Sequence, residues 1–190
     1  MDLSTDSLLM AMRPRLQAWA QRWAAVLPGF TLDSLYRSRS EPFRPAYSRK
    51  LTSEDLRRAR FFGETSADST RIVEADSYRL FVDGAPELWG EPDSAPALAD
   101  LRADSLWILA TVGTTGGFED AFWIDSNRFV ITGYGERQFE PWQGGGELWA
   151  YDLARGTLTR YSTPDVDKAT YDRYVAAAKA ALRARFSVPA

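Results

Sequence analysis

Neither cysteine nor histidine occurs in this sequence. Without Cys there is no disulfide, no thiolate nucleophile and no thiolate metal site. Without His, the usual near-neutral proton shuttle and the commonest transition-metal ligand are missing as well. Triads that run through His, haem ligation through either residue and ordinary structural zinc are thereby excluded, and no metal or cofactor is expected. Any chemistry must use carboxylates, hydroxyls, Tyr, Lys or Arg. Lysine is scarce too: only Lys50, Lys168 and Lys179 occur, and the other basic residues are Arg. No stretch approaches the ~20 apolar residues of a membrane span. The acidic start, Met1-Asp2, is followed by no uninterrupted apolar core, unlike a secretory signal. As written the chain reads as cytoplasmic; as a trimmed mature form it would belong to the cell envelope.

What is present is a globular composition: 45% apolar, 26% charged and 13% aromatic residues, with seven Trp, eight Tyr and ten Phe. A chain of 190 residues is the size of one ordinary domain, and it should bury about 70% of the surface its unfolded form exposes. The expectation is one soluble domain over 1–190. It divides into a helical and irregular part at 1–62, an antiparallel strand region at 63–164 and a C-terminal helix at 165–190. Net charge is −3, from 23 basic and 26 acidic residues, so no overall field gathers nucleic acid.

Residues 6–27 read as helix, capped by Asp6 or Ser7 and divided by Pro14, with Pro28-Gly29 as the stop. Leu16, Trp19, Trp23, Val26 and Leu27 share one face at helical spacing. Arg13, Arg15 and Arg22 suit a solvated face, or a helix lying on a membrane surface. Pro42 and Pro45 break 30–50 into a surface loop. Thr52 and Asp55 are spaced as a capping box for a short helix ending at Phe61-Phe62-Gly63. From there the pattern is of alternating strands: 71–82 (bulged near Asp76-Ser77), 95–101, 106–112, 120–124, 128–134, 147–153 and 157–161. In 128–134 both faces are apolar, which predicts an inner strand covered on both sides. Residues 165–186 return to helix, with Asp165 as cap and Tyr171, Tyr174, Val175, Ala178 and Leu182 as the apolar stripe.

The strand region carries a weak internal repeat. Asp68-Ser69-Thr70-Arg71-Ile72-Val73 matches Asp125-Ser126-Asn127-Arg128-Phe129-Val130. Downstream, Asp100-Leu101 and Ser105-Leu106 match Asp152-Leu153 and Thr157-Leu158. Each unit reads as strand, polar turn, strand, longer connection, strand, tight turn, strand, and resembles one blade of a Tol-type β-propeller. Two blades cannot close a ring of the usual four to eight, so the terminal helices are expected to cover them. Short segments at 47–51, 61–64, 76–78, 90–94 and 118–123 also resemble bacterial proteins of unassigned function, many with lipoprotein-type signals. That resemblance implies an envelope-associated or accessory role and carries no activity with it.

Four places invite a functional reading. Glu91 and Asp93 flank Pro92 in a loop, where an Asx turn competes with a cation or sugar site. Glu119 and Asp120 are adjacent at the start of a strand, so alternation sends them to opposite faces. The glycine runs 113–117 and 144–146 read as loops between strands, since neither has a phosphate-loop Lys. In 134–142, Glu136, Arg137, Phe139, Glu140 and Trp142 precede the triple glycine, as a contact loop or as a plug for the sheet end.

The expected architecture is therefore α+β: an antiparallel sheet of 7–8 strands in two meanders, flanked by N- and C-terminal helices. The expected function is a non-enzymatic binding or accessory module that meets an unidentified protein or small ligand through aromatic-rich loops. The alternative is a carboxylate-dependent hydrolase acting on carbohydrate. An enzyme needs acidic groups converging in one concave pocket, and a binding module does not.

Overall fold

In the computed structural model, the residues described are 7–75, 80–81, 89–90, 95–113 and 115–186. The chain is α+β, with two five-stranded antiparallel sheets and three α-helices among these residues. The helices are α1 (Ser7–Val26), α2 (Ser53–Phe62) and α3 (Lys168–Phe186). The strands, in chain order, are β1 (Tyr36–Pro42), β2 (Tyr47–Lys50), β3 (Glu64–Thr65), β4 (Arg71–Glu74), β5 (Leu80–Phe81), β6 (Trp89–Gly90), β7 (Ala97–Asp100), β8 (Ser105–Ile108), β9 (Gly116–Trp123), β10 (Arg128–Phe139), β11 (Trp142–Asp152) and β12 (Thr157–Ser162). No helix among the described residues is long and apolar enough to cross a membrane.

Both five-stranded sheets follow one plan. The first runs β9-β10-β11-β12 as a meander with β1 added antiparallel to β12; the second runs β3-β4-β7-β8 with β2 added to β8. The short β5–β6 pair forms a sheet of its own in the connection from β4 to β7. The sequence repeat occupies matching positions. Asp68 and Asp125 each accept backbone N–H bonds in the turn before β4 and β10, from Thr70 in one and from Asn127 and Arg128 in the other. The carboxylate of Asp100 accepts from the N–H groups of Arg102 and Ala103, and that of Asp152 from Arg155. Arg71 stands opposite Asp100 in register, as Arg128 stands opposite Asp152.

Apolar alternation sorts the layers. Val130, Leu148, Ala150 and Tyr161 face α1 and α3, where Leu16, Trp19, Trp23 and Tyr174 meet them. Phe129, Ile131, Trp149 and Tyr151 face the other way, against Val73 and Leu98 of the second sheet. Ile72, Ala97 and Ala99 then turn outward to Ala59 of α2. The order is helices, sheet, sheet, helix, and β10 is covered on both sides as its sequence requires. The sheets are tied at one edge by Trp123, whose backbone and indole N–H groups donate to the Glu64 carboxylate and carbonyl at 3.0 and 2.8 Å.

Several expectations need correction. Residues 36–42 and 47–50 are edge strands, not loop; Pro42 is accommodated because an edge leaves one side of the ladder unpaired. Helix α1 runs unbroken through Pro14. The cap of α3 is Asp167, whose side chain accepts the Thr170 N–H at 2.7 Å, whereas Asp165 pairs with Arg137. The glycines 116–117 and 144–146 lie inside β9 and β11. A Cβ on Gly146 would stand 2.5 Å from Nε1 of Trp23 and 2.6 Å from the Trp19 ring. Glycine is there because two tryptophans of α1 lie directly on the strand. The capping box at Thr52 and Asp55 forms as its spacing predicts. The bulge expected near Asp76-Ser77 lies outside the described residues.

Candidate functional site

The stretch from Tyr134 to Gly146 is a long hairpin, and not the flexible loop its glycines suggest. Strands β10 and β11 pair out to Phe139 and Trp142, with the turn at Glu140-Pro141. Arg137, half-buried, donates to the carbonyls of Thr163 and Gly146 at 3.0 and 2.9 Å and pairs with Asp165. Its guanidinium thus fastens the segment after β12 to the hairpin. Trp142 packs edge-on against Tyr171 of α3, centroids 5.0 Å apart, with the Lys168 ammonium 5.9 Å from its ring. Glu140 is exposed at the turn. The Phe139 side chain, and Glu91 and Asp93, lie outside the described residues.

The fifth candidate on the hairpin, Glu136, opens onto something else. On the face of the first sheet that looks toward the second, a cavity of about 380 Å³ extends beyond the end of β8. Its wall brings Glu136 together with Glu147, Trp149 and Arg160, none of the last three singled out by sequence. The Trp149 indole donates to Glu147 at 2.8 Å, and the Arg160 guanidinium lies 4.1 Å over the Trp149 ring. Arg160 also pairs with Glu41 at 3.2 Å. One carboxylate oxygen of Glu136 and the Nε–H of Arg160 are enclosed without a hydrogen-bond partner. Gly116, Gly133 and Gly135 line it as well, with Phe118 lying over Gly133. A Cβ on Gly135 would meet nothing within 4 Å, so the space over that residue is open and not packing required by a neighbour.

The other sequence candidates, Glu119 and Asp120, lie on the opposite face of the same sheet. Simple alternation would separate them. A β-bulge prevents this: Asp120 pairs with Thr132 and Phe118 with Gly133, which leaves Glu119 as the extra residue. The bulge turns both carboxylates toward the helices. Glu119 is buried, and it accepts Nη2 of Arg22 at 2.8 Å and the hydroxyl of Tyr174 at 2.5 Å. Burial pushes its carboxyl above the usual range, against the pull of Arg22 and Tyr174. Asp120 takes Arg185 of α3 at 2.7 Å. Glu119 thereby joins α1, β9 and α3, a buried charge held by partners on two helices. No local signal announces the bulge, although Gly116-Gly117 just before it marks a strand able to bend.

No protein-family model matches this sequence, and no curated relative does. Among solved structures, the chain is similar to one from Clostridium novyi NT named as a conserved lipoprotein. The identity is 14%, over 64% of this chain and 70% of that one, with a TM-score of 0.34.

Proposed function

We propose that this chain is a non-enzymatic binding module that takes a small polar ligand in the cavity beside Gly135. The observation that carries this reading is the open space over Gly135 in a cavity whose wall brings together Glu136, Glu147, Trp149 and Arg160. Binding sites are concave and orient their ligands with a few placed polar groups. Glu147 has the Arg137 guanidinium at 3.8 Å and Arg160 has Glu41 at 3.2 Å, so the Glu136 carboxylate is the group on the wall that favours a ligand with hydroxyl or amine donors. Trp149, held by Glu147 and Arg160, supplies a rigid wall that needs no ordering when ligand arrives.

The two sheets are, on this proposal, two propeller-type blades in tandem, capped by helices because two blades cannot close a ring. Their shared strand order and matched aspartate turns support it. Hydrolysis of carbohydrate by a carboxylate pair has one observation in its favour, the bulge that brings Glu119 and Asp120 to one face. Against it, Glu119 has Arg22 on one oxygen and Tyr174 on the other, which leaves it poorly placed to deliver a proton to a glycosidic oxygen.

A thermal-shift panel of monosaccharides, amino sugars and amino alcohols, run beside turnover assays on aryl glycosides, separates the two. The binding reading expects stabilisation by members of the panel, lost in Gly135→Leu, and no turnover. Glycoside cleavage abolished by Glu119→Gln or Asp120→Asn would replace it with the hydrolase.

A further inference from the structure

Trp149 is the tryptophan on the wall of the cavity beside Gly135, and its indole is already engaged. Glu147 accepts its N–H at 2.8 Å, the Arg160 guanidinium lies 4.1 Å over the ring, and Phe118 meets it edge to face, centroids 5.1 Å apart. Arg160 is held in turn by Glu41 of β1 at 3.2 Å. Sugar rings bind aromatic walls by lying flat on an open face, and a cation drawn to the electron-rich face of Trp denies them that place. The charges on the wall sort the same way. Glu147 has Arg137 at 3.8 Å and Arg160 has Glu41, so each is answered within the fold. Glu136, half-buried, has no ion pair among the described residues. Its N–H donates to the carbonyl of Thr115 at 3.2 Å, which sets it beside a threonine that also lines the cavity. Charged groups withdrawn from water are normally paired, so a lone carboxylate on a cavity wall calls for one cation. Val112 and Phe118 make the neighbouring lining apolar.

We propose that the cavity takes a small primary amine of single positive charge, and that Arg160 sets this specificity by closing the face of Trp149 to sugars. The ammonium pairs with Glu136 and the apolar body lies against Val112 and Phe118. This rests on ligand binding beside Gly135 and narrows the class of ligand bound there. At about 380 Å³ the cavity stands near the lower end of ligand pockets, which suits a molecule of few heavy atoms.

The probe is n-butylamine, titrated calorimetrically, with n-butanol as the same body without charge and methyl glucoside as the neutral ring. Butylamine is expected to bind saturably, butanol at least about tenfold more weakly, and methyl glucoside not at all. Glu136→Gln keeps the shape, has no ion pair to break, and should weaken butylamine about tenfold or more. Arg160→Ala leaves Glu41 paired with Arg39 at 2.6 Å, so no carboxylate is stranded. It should hold butylamine within a few-fold of the parent and newly admit methyl glucoside; continued refusal of the sugar by a folded variant would overturn the role given to Arg160. Butanol binding as tightly as butylamine, or parent-like affinity in Glu136→Gln, would overturn the amine. Methyl glucoside binding to the parent, lost in Gly135→Leu, would overturn the amine class and leave binding beside Gly135 standing. Silence from all three probes and from the thermal-shift panel would sink both.

Discussion

Gly156 and Asp104 hold the same place in the two sheets. Each adopts left-handed backbone, at φ 61° and 49°, four residues after the aspartate that organises its turn. The carbonyl of Gly156 accepts the N–H of Phe43, and that of Asp104 accepts the N–H of Leu51, in each case the residue that follows an edge strand. A single turn geometry thus closes each outer hairpin and fixes the end of the fifth strand.

That geometry is relaxed for glycine and strained for a side chain. Asp104→Gly should therefore stabilise the fold by up to about 1 kcal/mol, and Gly156→Ala should cost about 1 kcal/mol. Urea unfolding of the two variants checks both signs. Equal effects of the same sign would mean the turns are not equivalent.

The face of α1 is tested at Trp23 and the glycine beneath it. Trp23 is fully buried and stacks on Tyr174, centroids 3.7 Å apart. Trp23→Ala should cost about 3–5 kcal/mol. Gly146→Ala adds one methyl where the two tryptophans lie, and should cost about 1–3 kcal/mol by overpacking. Thermal melts compare them; a Trp23→Ala protein as stable as the parent would mean α1 does not cover the sheet.

Acid sensitivity should centre on two aspartates. Burial raises Asp55, but hydrogen bonds from Arg49 and Thr52 outweigh it and hold its carboxyl at about 2; Ser66 and Thr70 hold Asp68 at about 2. Both folded values lie below the unfolded value, near 3.9. Their stabilisation is therefore complete above about pH 4 and lost as pH falls through 2. Glu119, raised by burial, has the opposite sign: its share falls as pH rises from the unfolded value, near 4.3, through the folded one. Denaturant midpoints between pH 2 and 7 should show a reduced acid slope in Asp55→Asn. An unchanged slope would mean that Asp55 does not contribute to acid sensitivity.

Much of this fold is legible from residues that answer to local rules. Thr52 and Asp55 cap α2 by spacing alone, and the alternation of 128–134 foretells a strand covered on both faces. The misses share a cause, which is that tertiary contacts overrode a local signal. Pro42 reads as a breaker until the strand is known to be an edge. Glycines 144–146 read as a loop until Trp19 and Trp23 are known to lie on Gly146. Glu119 and Asp120 read as divergent until the bulge aligns them. The cavity at Gly135 is the least legible feature, because Glu136, Glu147, Trp149 and Arg160 come from three strands with no common motif.

Ligand entry beside Gly135 is seen most directly at the indole N–H resonance of Trp149, which donates to Glu147 at the cavity wall. Two-dimensional ¹H–¹⁵N spectra are recorded while amino sugars and amino alcohols are titrated into the parent and into Gly135→Leu, which fills the open space over residue 135. Binding beside Gly135 should give a saturable shift of that resonance in the parent and none in the variant, with the rest of the spectrum of the variant native. A Trp149 resonance that stays fixed throughout the panel, or one that moves equally in Gly135→Leu, would contradict it.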